Sequence, residues 1–397
     1  MNDATRLYIR QHADDDVRRL ALRGAKDAAV DMPFALQQIQ GRQTARRKLP
    51  SWADVDAIVY PPHLNMEQCS SEQTARYKAD LCRRLLDGLS PAAAPTLVDL
   101  TGGFGVDFAA MSAAFAKAIY VECDPQLFAI SSQNFQSLGL RVSTVNADAA
   151  DVLAQLSEPL DVVYLDPARR DVHGARTYAL SDCTPDVLLL LPMLLAKSRY
   201  VLLKLSPMLE WRKAVADVGP QHVAEVHIVA VRNECKELLL LLEKNADETA
   251  LFCVNDDQVL VLDTTTDAPP TAFGRPAAGQ WLFEPNASVM KAGCFGHIAS
   301  RFGVTPVARD SHLFVADSPV AAFPGRSFVV ERVTTMKKND LRRALDGMTQ
   351  ANISTRNFPL SVAQLRSRLR LADGGDAYLF ATTLSTAEHV LLVCRKG

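Results

Sequence analysis

The sequence predicts an α/β protein: a doubly wound parallel sheet, preceded by a helical region and followed by small α+β domains. Strand-like apolar runs alternate with helix-like segments between residues 96 and 245, which is the pattern of βαβ units in a parallel sheet. Residues 1–90 instead show only the apolar spacing of helices. Beyond residue 245, short apolar runs lie among Asp, Thr, Gly and Pro, which indicates smaller α+β units.

The composition is that of a globular protein that needs no disulfides or zinc. The 397 residues are 48% hydrophobic and 22% charged, enough for several domains. The eight cysteines form no C-x-x-C pair, so we expect no metal site and a reducing compartment. The first residues lack the apolar core of a signal peptide, and Val187–Ala196 is too short to cross a membrane. The sequence therefore predicts a cytoplasmic protein that makes no membrane contact.

Charge is unevenly distributed along the chain. The net charge is −2, but residues 1–50 hold ten Lys/Arg against six Asp/Glu, and residues 325–397 hold twelve against six. Basic ends around an acidic middle predict that the flanks contact a polyanion. The alternative is that they are solvated faces.

The helical region begins with clear start and stop signals. Asp14–Asp16 precede an apolar-periodic run, where carboxylates favour a helix N-terminus. Asp31–Pro33 ends that unit. Ser71 is placed to cap a helix over Gln73–Leu86, followed by the acidic Glu72.

The central region, residues 91–245, reads as alternating strands and helices. The predicted strands are Leu97–Leu100, Ala118–Glu122, Arg141–Asn146, Leu160–Leu165, Tyr200–Lys204, Val223–Val231 and Glu237–Leu242. The predicted helices are Ala109–Phe115, Leu127–Leu138 and Pro185–Ala196. No helix separates the last two strands, so we expect the final strand to run antiparallel to its neighbours.

The C-terminal part divides at about residue 325 by its pattern. Short strands over Gln258–Leu262, Gln280–Glu284 and His312–Val315 predict one unit over residues 246–324. Residues 325–397 predict another, in the order strand, helix, strand, helix, strand, strand. Its predicted elements are Ser327–Val333, Lys338–Gly347, Asn352–Pro359, Val362–Leu369, Ala377–Thr383 and Glu388–Cys394.

The strongest chemical signal is a glycine-rich turn after the first central strand. Asp99 ends that strand, and Gly102, Gly103 and Gly105 follow before a helix opens near Asp107. Glycines let a backbone approach a ligand closely. A dinucleotide site would need a third Gly where Phe108 stands. A carboxylate such as Asp99 is unfavourable beside a phosphate but suits the cationic amino acid moiety of S-adenosylmethionine.

Carboxylates also follow the next three strands. Glu122 can accept hydrogen bonds from both ribose hydroxyls, and Asp148 can accept one from an adenine amino group. Asp166 precedes Pro167 after the strongest strand. The carboxyl ends of parallel strands are where open α/β sheets bind ligands. Four such carboxylates predict one cofactor crevice, and a nicotinamide enzyme has no need of the last two.

With this glycine-rich turn and these strand-end carboxylates, the central region resembles a class I S-adenosylmethionine-dependent methyltransferase. The resemblance implies a Rossmann-like seven-stranded sheet. The whole chain resembles a bacterial family of such enzymes with a ferredoxin-like segment and a THUMP-like C-terminal domain. The segments that carry the wider resemblance are Glu67–Glu72, Asp166–Arg170, Asn233–Glu237 and Arg356–Leu360. THUMP-type modules imply RNA as the partner.

The resemblance implies a set of site residues. Those expected to contact the cofactor are Asp99, Thr101, Gly102, Gly103, Phe104, Gly105, Glu122, Asp148, Ala149 and Asp166. Asp166 and Pro167 are the expected catalytic pair, because methyl transfer from a sulfonium needs alignment and removal of one proton. Those expected to contact substrate are Arg169, Arg170 and Arg356.

One departure narrows the chemistry. Amine methyltransferases that flip a base often follow Asp-Pro with Pro and an aromatic, whereas this chain has Ala168 and Arg169. The missing aromatic argues against methylation of an exocyclic amine. Arg169 and Arg170 could bind phosphate or a base edge, or pair with an acid at the sheet end. Cys235 beside Lys236 is the candidate nucleophile, but a structural role is the stronger interpretation.

The sequence leaves other functions open. The main alternative is a non-catalytic RNA-binding protein that retains this fold, although a dead site has no reason to keep four carboxylates. An NAD(P)-dependent oxidoreductase is disfavoured by Phe108 and by Asp166–Pro167. Methylation of DNA, protein or a small molecule is not excluded by any residue pattern.

Overall fold

The computed structural model describes residues 1–87, 94–157, 159–169, 180–262 and 272–397. The chain forms two compact units. The first comprises Met1–Val226 and Lys236–Thr249, and the second comprises His227–Cys235 and Ala250–Gly397. Within the described part of the chain, no helix is long and apolar enough to cross a membrane.

The first unit begins with helices, as predicted. They are α1 (Asp3–Gln11), α2 (Val17–Arg23), α3 (Met32–Lys48), α4 (Pro50–Ala53), α5 (His63–Gln68) and α6 (Glu72–Leu86). Asp16 and Ser71 cap α2 and α6 by accepting the amides of Arg19 and Thr74. Asp31 does more than end a unit, because it caps α3 by accepting the Phe34 amide. The last two turns of α3 carry four basic residues, Arg42, Arg46, Arg47 and Lys48.

The rest of the first unit, together with residues 227–235 of the second, forms a doubly wound sheet with its helices. Its strands are β1 (Thr96–Asp99), β2 (Lys117–Val121), β3 (Ser143–Val145), β4 (Leu160–Leu165), the short pair β5 (Ala168–Arg169) and β6 (Cys183–Thr184), β7 (Ser198–Leu205), β8 (Val223–Val231) and β9 (Glu234–Leu242). Its helices are α7 (Val106–Ser112), α8 (Pro125–Ser137), α9 (Ala149–Gln155), α10 (Val187–Lys197) and α11 (Trp211–Val218). Short 3-10 turns lie at Leu180–Asp182 and Pro220–His222. The helices α9 and α11 were not predicted.

Seven strands follow the order β8-β9-β7-β4-β1-β2-β3. The pairs β1–β2, β1–β4, β2–β3 and β4–β7 are parallel, and β9 is antiparallel to β7. These strands match the expected seven-stranded arrangement with its antiparallel last strand. Two further strands, Ala250–Asn255 and Gln258–Leu262, continue the same sheet beyond β8, so the sheet has nine strands in the described part of the chain. Because strands such as β4 and β7 are covered on both faces, they are nearly continuous apolar runs. Val162, Val163, Leu165 and Val201 are fully buried.

The second unit is built mainly on one mixed sheet. Its strands are β10 (Ala250–Asn255), β11 (Gln258–Leu262), β12 (Trp281–Pro285), β13 (Thr305–Pro306), β14 (Phe314–Ala316), β15 (Gly325–Thr335), β16 (Asn352–Arg356), β17 (Ala377–Thr383) and β18 (His389–Lys396). Its helices are α12 (Ala287–Ala292), α13 (Phe295–Phe302), α14 (Lys338–Ala344) and α15 (Val362–Leu369). Strands β10 and β11 pair antiparallel, with β10 next to β8 in the strand order.

The seven other strands follow the order β13-β14-β12-β15-β18-β17-β16. Strand β12 pairs with β15, so the predicted units at 246–324 and 325–397 share a sheet. One apolar core contains Leu282 and Val315 from the earlier segment together with Phe328 and Phe380 from the later one. A cut at residue 325 would therefore divide both a sheet and its core.

Candidate active site

The glycine-rich turn after β1 packs over an aromatic cluster. Phe108 is fully buried, with its ring 5.5 Å from that of Tyr120 and 5.3 Å from that of Phe135. Gly105 has φ of +79°, and a Cβ on it would come within 2.4 Å of the Phe135 ring. Phe108 thus replaces the third glycine of a dinucleotide loop with a side chain that supports this turn from below.

Gly103 faces the open side of the turn. It has φ of +57°, and a Cβ there would meet no atom nearer than the Thr101 carbonyl oxygen at 3.8 Å. Its own carbonyl accepts hydrogen bonds from the hydroxyls of Tyr120 and Ser131. The Gly103 backbone is therefore fixed from one side and free to meet a ligand on the other.

Asp99 is buried at the end of β1, with a side chain only 1% exposed. Its Oδ1 accepts the Thr101 amide at 3.0 Å. Burial raises the pKa of Asp99 well above its usual range despite that hydrogen bond, and the negative charges of Asp107, Asp166 and Glu122 add to the rise. A cationic ligand group would relieve this accumulation of negative charge.

Glu122 connects the ends of two strands to the glycine-rich turn. Its Oε2 accepts the Gly103 amide at 2.7 Å and its Oε1 accepts the Asp124 amide at 2.8 Å. Asn146, which sequence reasoning did not single out, donates to the Glu122 carbonyl oxygen at 2.7 Å. A carboxylate can accept about four hydrogen bonds, so Glu122 retains capacity for ribose hydroxyls.

Asp148 lies after β3 and begins the next helix. Its Oδ1 accepts the Ala150 amide at 2.8 Å, so it caps α9 while its side chain is exposed. Ala149 is buried in the first turn of that helix. The contact between Asp148 and adenine stays a prediction. It would use Asp148 Oδ2, because Oδ1 caps the helix.

Asp166 lies at the end of β4, beside the turn after β1. Its backbone amide donates to Thr101 Oγ1 at 2.6 Å, and its side chain is 40% exposed. Pro167 is buried and Ala168 is exposed. Ala168 and Arg169 form β5, which pairs with β6. The structure does not describe the Arg169 side chain, and Arg170 lies outside the described residues.

A buried ion cluster adjoins this edge of the sheet, and sequence reasoning missed it. Lys78 on α6 is fully buried, with Nζ 2.6 Å from Glu237 Oε2 and 3.2 Å from Asp107 Oδ1. Asp107 Oδ2 also accepts hydroxyl hydrogen bonds from Ser70 at 2.8 Å and Tyr164 at 2.7 Å. Buried charges need such partners.

Lys204 joins the cluster to Asp166. Its Nζ lies 2.5 Å from Asp166 Oδ2 and 3.5 Å from Asp107 Oδ2. Burial acts to raise the pKa of Asp107, but Lys78 and Lys204 outweigh it and bring that pKa to about 2. Asp107 is therefore an anion at neutral pH, and it lies between two ammonium groups.

Arg356, which was predicted to contact substrate, and the nearby Arg366 both bind partners inside the second unit. Arg356 donates through Nη2 to Glu284 Oε1 at 2.8 Å. Arg366 donates to the carbonyl oxygens of Ala351 and Ala372. Helix α15 ends at Leu369, and Arg370 follows it with φ of 57°, so Arg370 lies outside the helix that carries Arg366.

The side chains of Phe358 and Cys235 also contact other residues of the second unit. Phe358, which lies in the Arg356–Leu360 segment, is partly buried against an apolar cluster of the second unit. The Cys235 thiol donates to the Ala287 carbonyl oxygen. Burial raises the pKa of Cys235, although Lys291 acts to lower it. A raised pKa disfavours the thiolate that a nucleophile needs, in agreement with the structural interpretation.

The residues around the turn fit S-adenosylmethionine on three observations. The space above Gly103 is open, the buried Asp99 lacks a cationic partner among the contacts of the described residues, and Glu122 has acceptor capacity left. Asp99 suits the ammonium group, Glu122 the ribose and Asp148 the adenine. These assignments remain predictions about individual residues.

Comparison with known proteins agrees with this fold. The family described as THUMP domain-like matches residues 325–396, a ferredoxin-like domain matches residues 281–324, and conserved hypothetical protein 95 matches residues 83–179. An uncharacterized S-adenosylmethionine-dependent methyltransferase of Mycobacterium tuberculosis is 25% identical over 339 residues, which cover 83% of this chain and 87% of that protein. The same figures hold for its counterpart in strain H37Rv.

A solved structure is similar over nearly the whole length. It is the crystal structure of a protein of Porphyromonas gingivalis W83 that is assigned as a methyltransferase, with 29% identity and a TM-score of 0.84 over 99% of this chain and 98% of that one. The chain is thus a class I S-adenosylmethionine-dependent methyltransferase, and S-adenosylmethionine is its cofactor. Within this class it is one of the methyltransferases that carry a ferredoxin-like segment followed by a THUMP-like C-terminal domain.

Proposed function

We propose that this methyltransferase modifies RNA. The observation that carries the proposal is the THUMP-like match over residues 325–396, a segment with twelve Lys/Arg against six Asp/Glu. A basic module attached to a methyltransferase suits a polyanionic substrate, because phosphate contacts supply much of the affinity for nucleic acid. We also propose a cytoplasmic location, supported by cysteine usage typical of reducing compartments.

We propose that Asp166 and Pro167 face the substrate while the turn after β1 holds the cofactor. S-adenosylmethionine supplies an electrophilic methyl group on its sulfonium. The task of the chain is then to align the acceptor atom and to accept the displaced proton. Asp166 is suited to hold the acceptor group because its side chain is 40% exposed at the carboxyl end of β4.

The surface that we propose for RNA lies around α14. Lys337, Lys338, Arg342 and Arg343 are exposed there. Arg368, also exposed, donates to the Met336 carbonyl oxygen at 3.2 Å, which brings the end of α15 beside the start of α14. This surface is a better candidate than Arg356, whose guanidinium is bound to the buried Glu284.

The substrate class is tested by comparing RNA from a strain that lacks the gene with RNA from its parent. A modified nucleoside that is missing in the deletion strain, and that the purified enzyme restores from labelled S-adenosylmethionine, is the expected result. Incorporation into DNA, protein or a small molecule instead of RNA would refute the proposal.

The proposed surface is tested on the whole 397-residue chain, because β12 and β15 share a sheet and a truncation at residue 325 would break it. We expect Lys337→Glu with Arg342→Glu to weaken binding of that RNA, and to reduce the steepness with which affinity falls with salt by about two charges. Lys213→Glu, on the exposed face of α11, is the matched control. Equal affinity and equal salt dependence in the double variant and the wild type would show that RNA does not bind at this surface.

A further inference from the structure

Lys204 is a buried charged residue without a role in the proposed reaction. It lies in β7, and its side chain is only 11% exposed. The ammonium group nevertheless reaches Asp166, which is the residue proposed to face the substrate. An ammonium group this deeply buried requires anions beside it. The anions of the folded protein therefore fix where the Lys204 ammonium group lies.

The register of the sheet places Lys204 beside Asp166. In the parallel pair of β4 and β7, Leu165 lies opposite Leu203. Each strand therefore carries its charged residue at the next position along, at the same edge of the sheet. On its other side, Lys204 lies opposite Leu239 of β9. Neighbouring strands thus hold the lysine backbone on both sides.

The buried cluster also fixes the charge of Lys204. Burial acts to lower the pKa of Lys204, but the negative charges of Asp166, Asp107 and Glu237 outweigh it and raise that pKa above its usual value. The raised pKa favours the ammonium form, which donates to Asp166 Oδ2 and Asp107 Oδ2 and has no lone pair to accept a proton. Its role must be that of a hydrogen-bond donor.

We propose that Lys204 is a positioning residue, which holds the Asp166 carboxylate in one orientation with Oδ1 directed to the methyl acceptor. The ammonium group binds Oδ2 at 2.5 Å, and the anion Asp107 holds the ammonium from behind. A half-exposed aspartate without that donor would sample other side-chain orientations. Misplacement of a reacting group by about 1 Å can cost about a hundredfold in rate.

This proposal rests on the substrate-facing role proposed for Asp166. It gives Lys204 and Asp166 different roles in the reaction. Asp166 would touch the substrate, whereas Lys204 would act only through Asp166. Loss of Lys204 should therefore lower kcat more than it changes KM or the affinity for the cofactor.

The test compares Lys204→Met, Lys204→Gln and Lys204→Arg with the wild type. We expect Lys204→Met and Lys204→Gln to bind S-adenosylhomocysteine within about threefold of wild type and to lose about ten- to a hundredfold in kcat. Lys204→Arg, which keeps the charge, should recover part of that loss. Lys213→Met on α11 removes a lysine from an exposed ion pair and should leave kcat unchanged. Wild-type kcat in Lys204→Met would overturn the proposal.

A crystal structure of Lys204→Gln with S-adenosylhomocysteine provides a readout that needs no substrate. We expect the Asp166 side chain to leave the orientation it has in the wild type. An unchanged orientation would overturn the positioning role, even if RNA proves to be the wrong substrate. Should Lys204→Met fail to fold, Lys204→Arg and Lys204→Gln still decide the question. If the wild type fails to methylate RNA but Asp166 moves in Lys204→Gln, only the substrate proposal fails.

Discussion

The Gly103 amide donates a 2.7 Å hydrogen bond to Glu122 Oε2. This bond joins the turn after β1 to the end of β2, so one carboxylate both shapes the turn and remains available to a ribose. A substitution at Glu122 should therefore disturb two parts of the cofactor site together.

We expect Glu122→Ala to weaken S-adenosylmethionine binding about ten- to a hundredfold, because a hydrogen bond to a charged group contributes roughly 1.5–3 kcal/mol. Calorimetric titration measures the effect, and the same titration of the wild type should show no binding of NAD. Asp151→Ala removes an exposed carboxylate of α9 and is the control. Wild-type affinity in Glu122→Ala would show that the ribose lies elsewhere.

Asp99→Asn should stabilise the ligand-free protein while weakening cofactor binding. Burial raises the pKa of Asp99, so its contribution to stability is complete below the unfolded value of about 3.9 and is lost as pH rises through the folded pKa. Asparagine has no such loss. We therefore expect the Tm of Asp99→Asn to exceed that of wild type at pH 8, and the difference to shrink at pH 5. A lower Tm for Asp99→Asn at pH 8 would contradict this account.

Asp107→Asn should destabilise the protein at pH 7 by about 3–5 kcal/mol, since it removes one anion from a buried ion cluster. The depressed pKa of Asp107, about 2, gives the pH dependence. Its stabilisation is present above the unfolded value of about 3.9 and is lost as pH falls through about 2. Thermal unfolding between pH 2 and pH 7 should show the gap between variant and wild type narrowing at the acidic end. A stability difference that does not change with pH would show that the charge of the Asp107 carboxylate does not stabilise the fold.

Asp166→Ala should abolish methyl transfer and leave S-adenosylmethionine affinity within about tenfold of wild type. The reason is that Asp166 has an exposed side chain, whereas only its backbone amide is bonded to Thr101 in the cofactor turn. Single-turnover assays with labelled cofactor separate the two effects. Full activity in this variant would remove Asp166 from the reaction.

The sequence predicted the fold and the strand-end carboxylates because both depend on local patterns. Asp99, Glu122, Asp148 and Asp166 each follow an apolar run, and strand order then brings their ends to one edge of the sheet. The helix α9 was missed because its residues, Ala149–Gln155, are too few to show a helical period.

The ion cluster could not be predicted because it depends on contacts between distant parts of the chain. Lys78 and Glu237 are 159 residues apart in sequence, and they meet only because β9 lies between β7 and β8. In the same way, the role of Arg356 depended on Glu284, which lies 72 residues earlier. Neither carboxylate follows a strand in a pattern that marks it as a partner.

The division of the chain into two units has a consequence for how this protein could have been assembled by recombination. The chain passes between the units three times, at residues 226–227, 235–236 and 249–250. No single break point in the chain can separate the two units. A fragment that stops at residue 226 would lack β9, and with it the Glu237 carboxylate that neutralises Lys78. We therefore expect a library of chimaeras to tolerate exchanges that respect all three crossings and to reject those that respect only one.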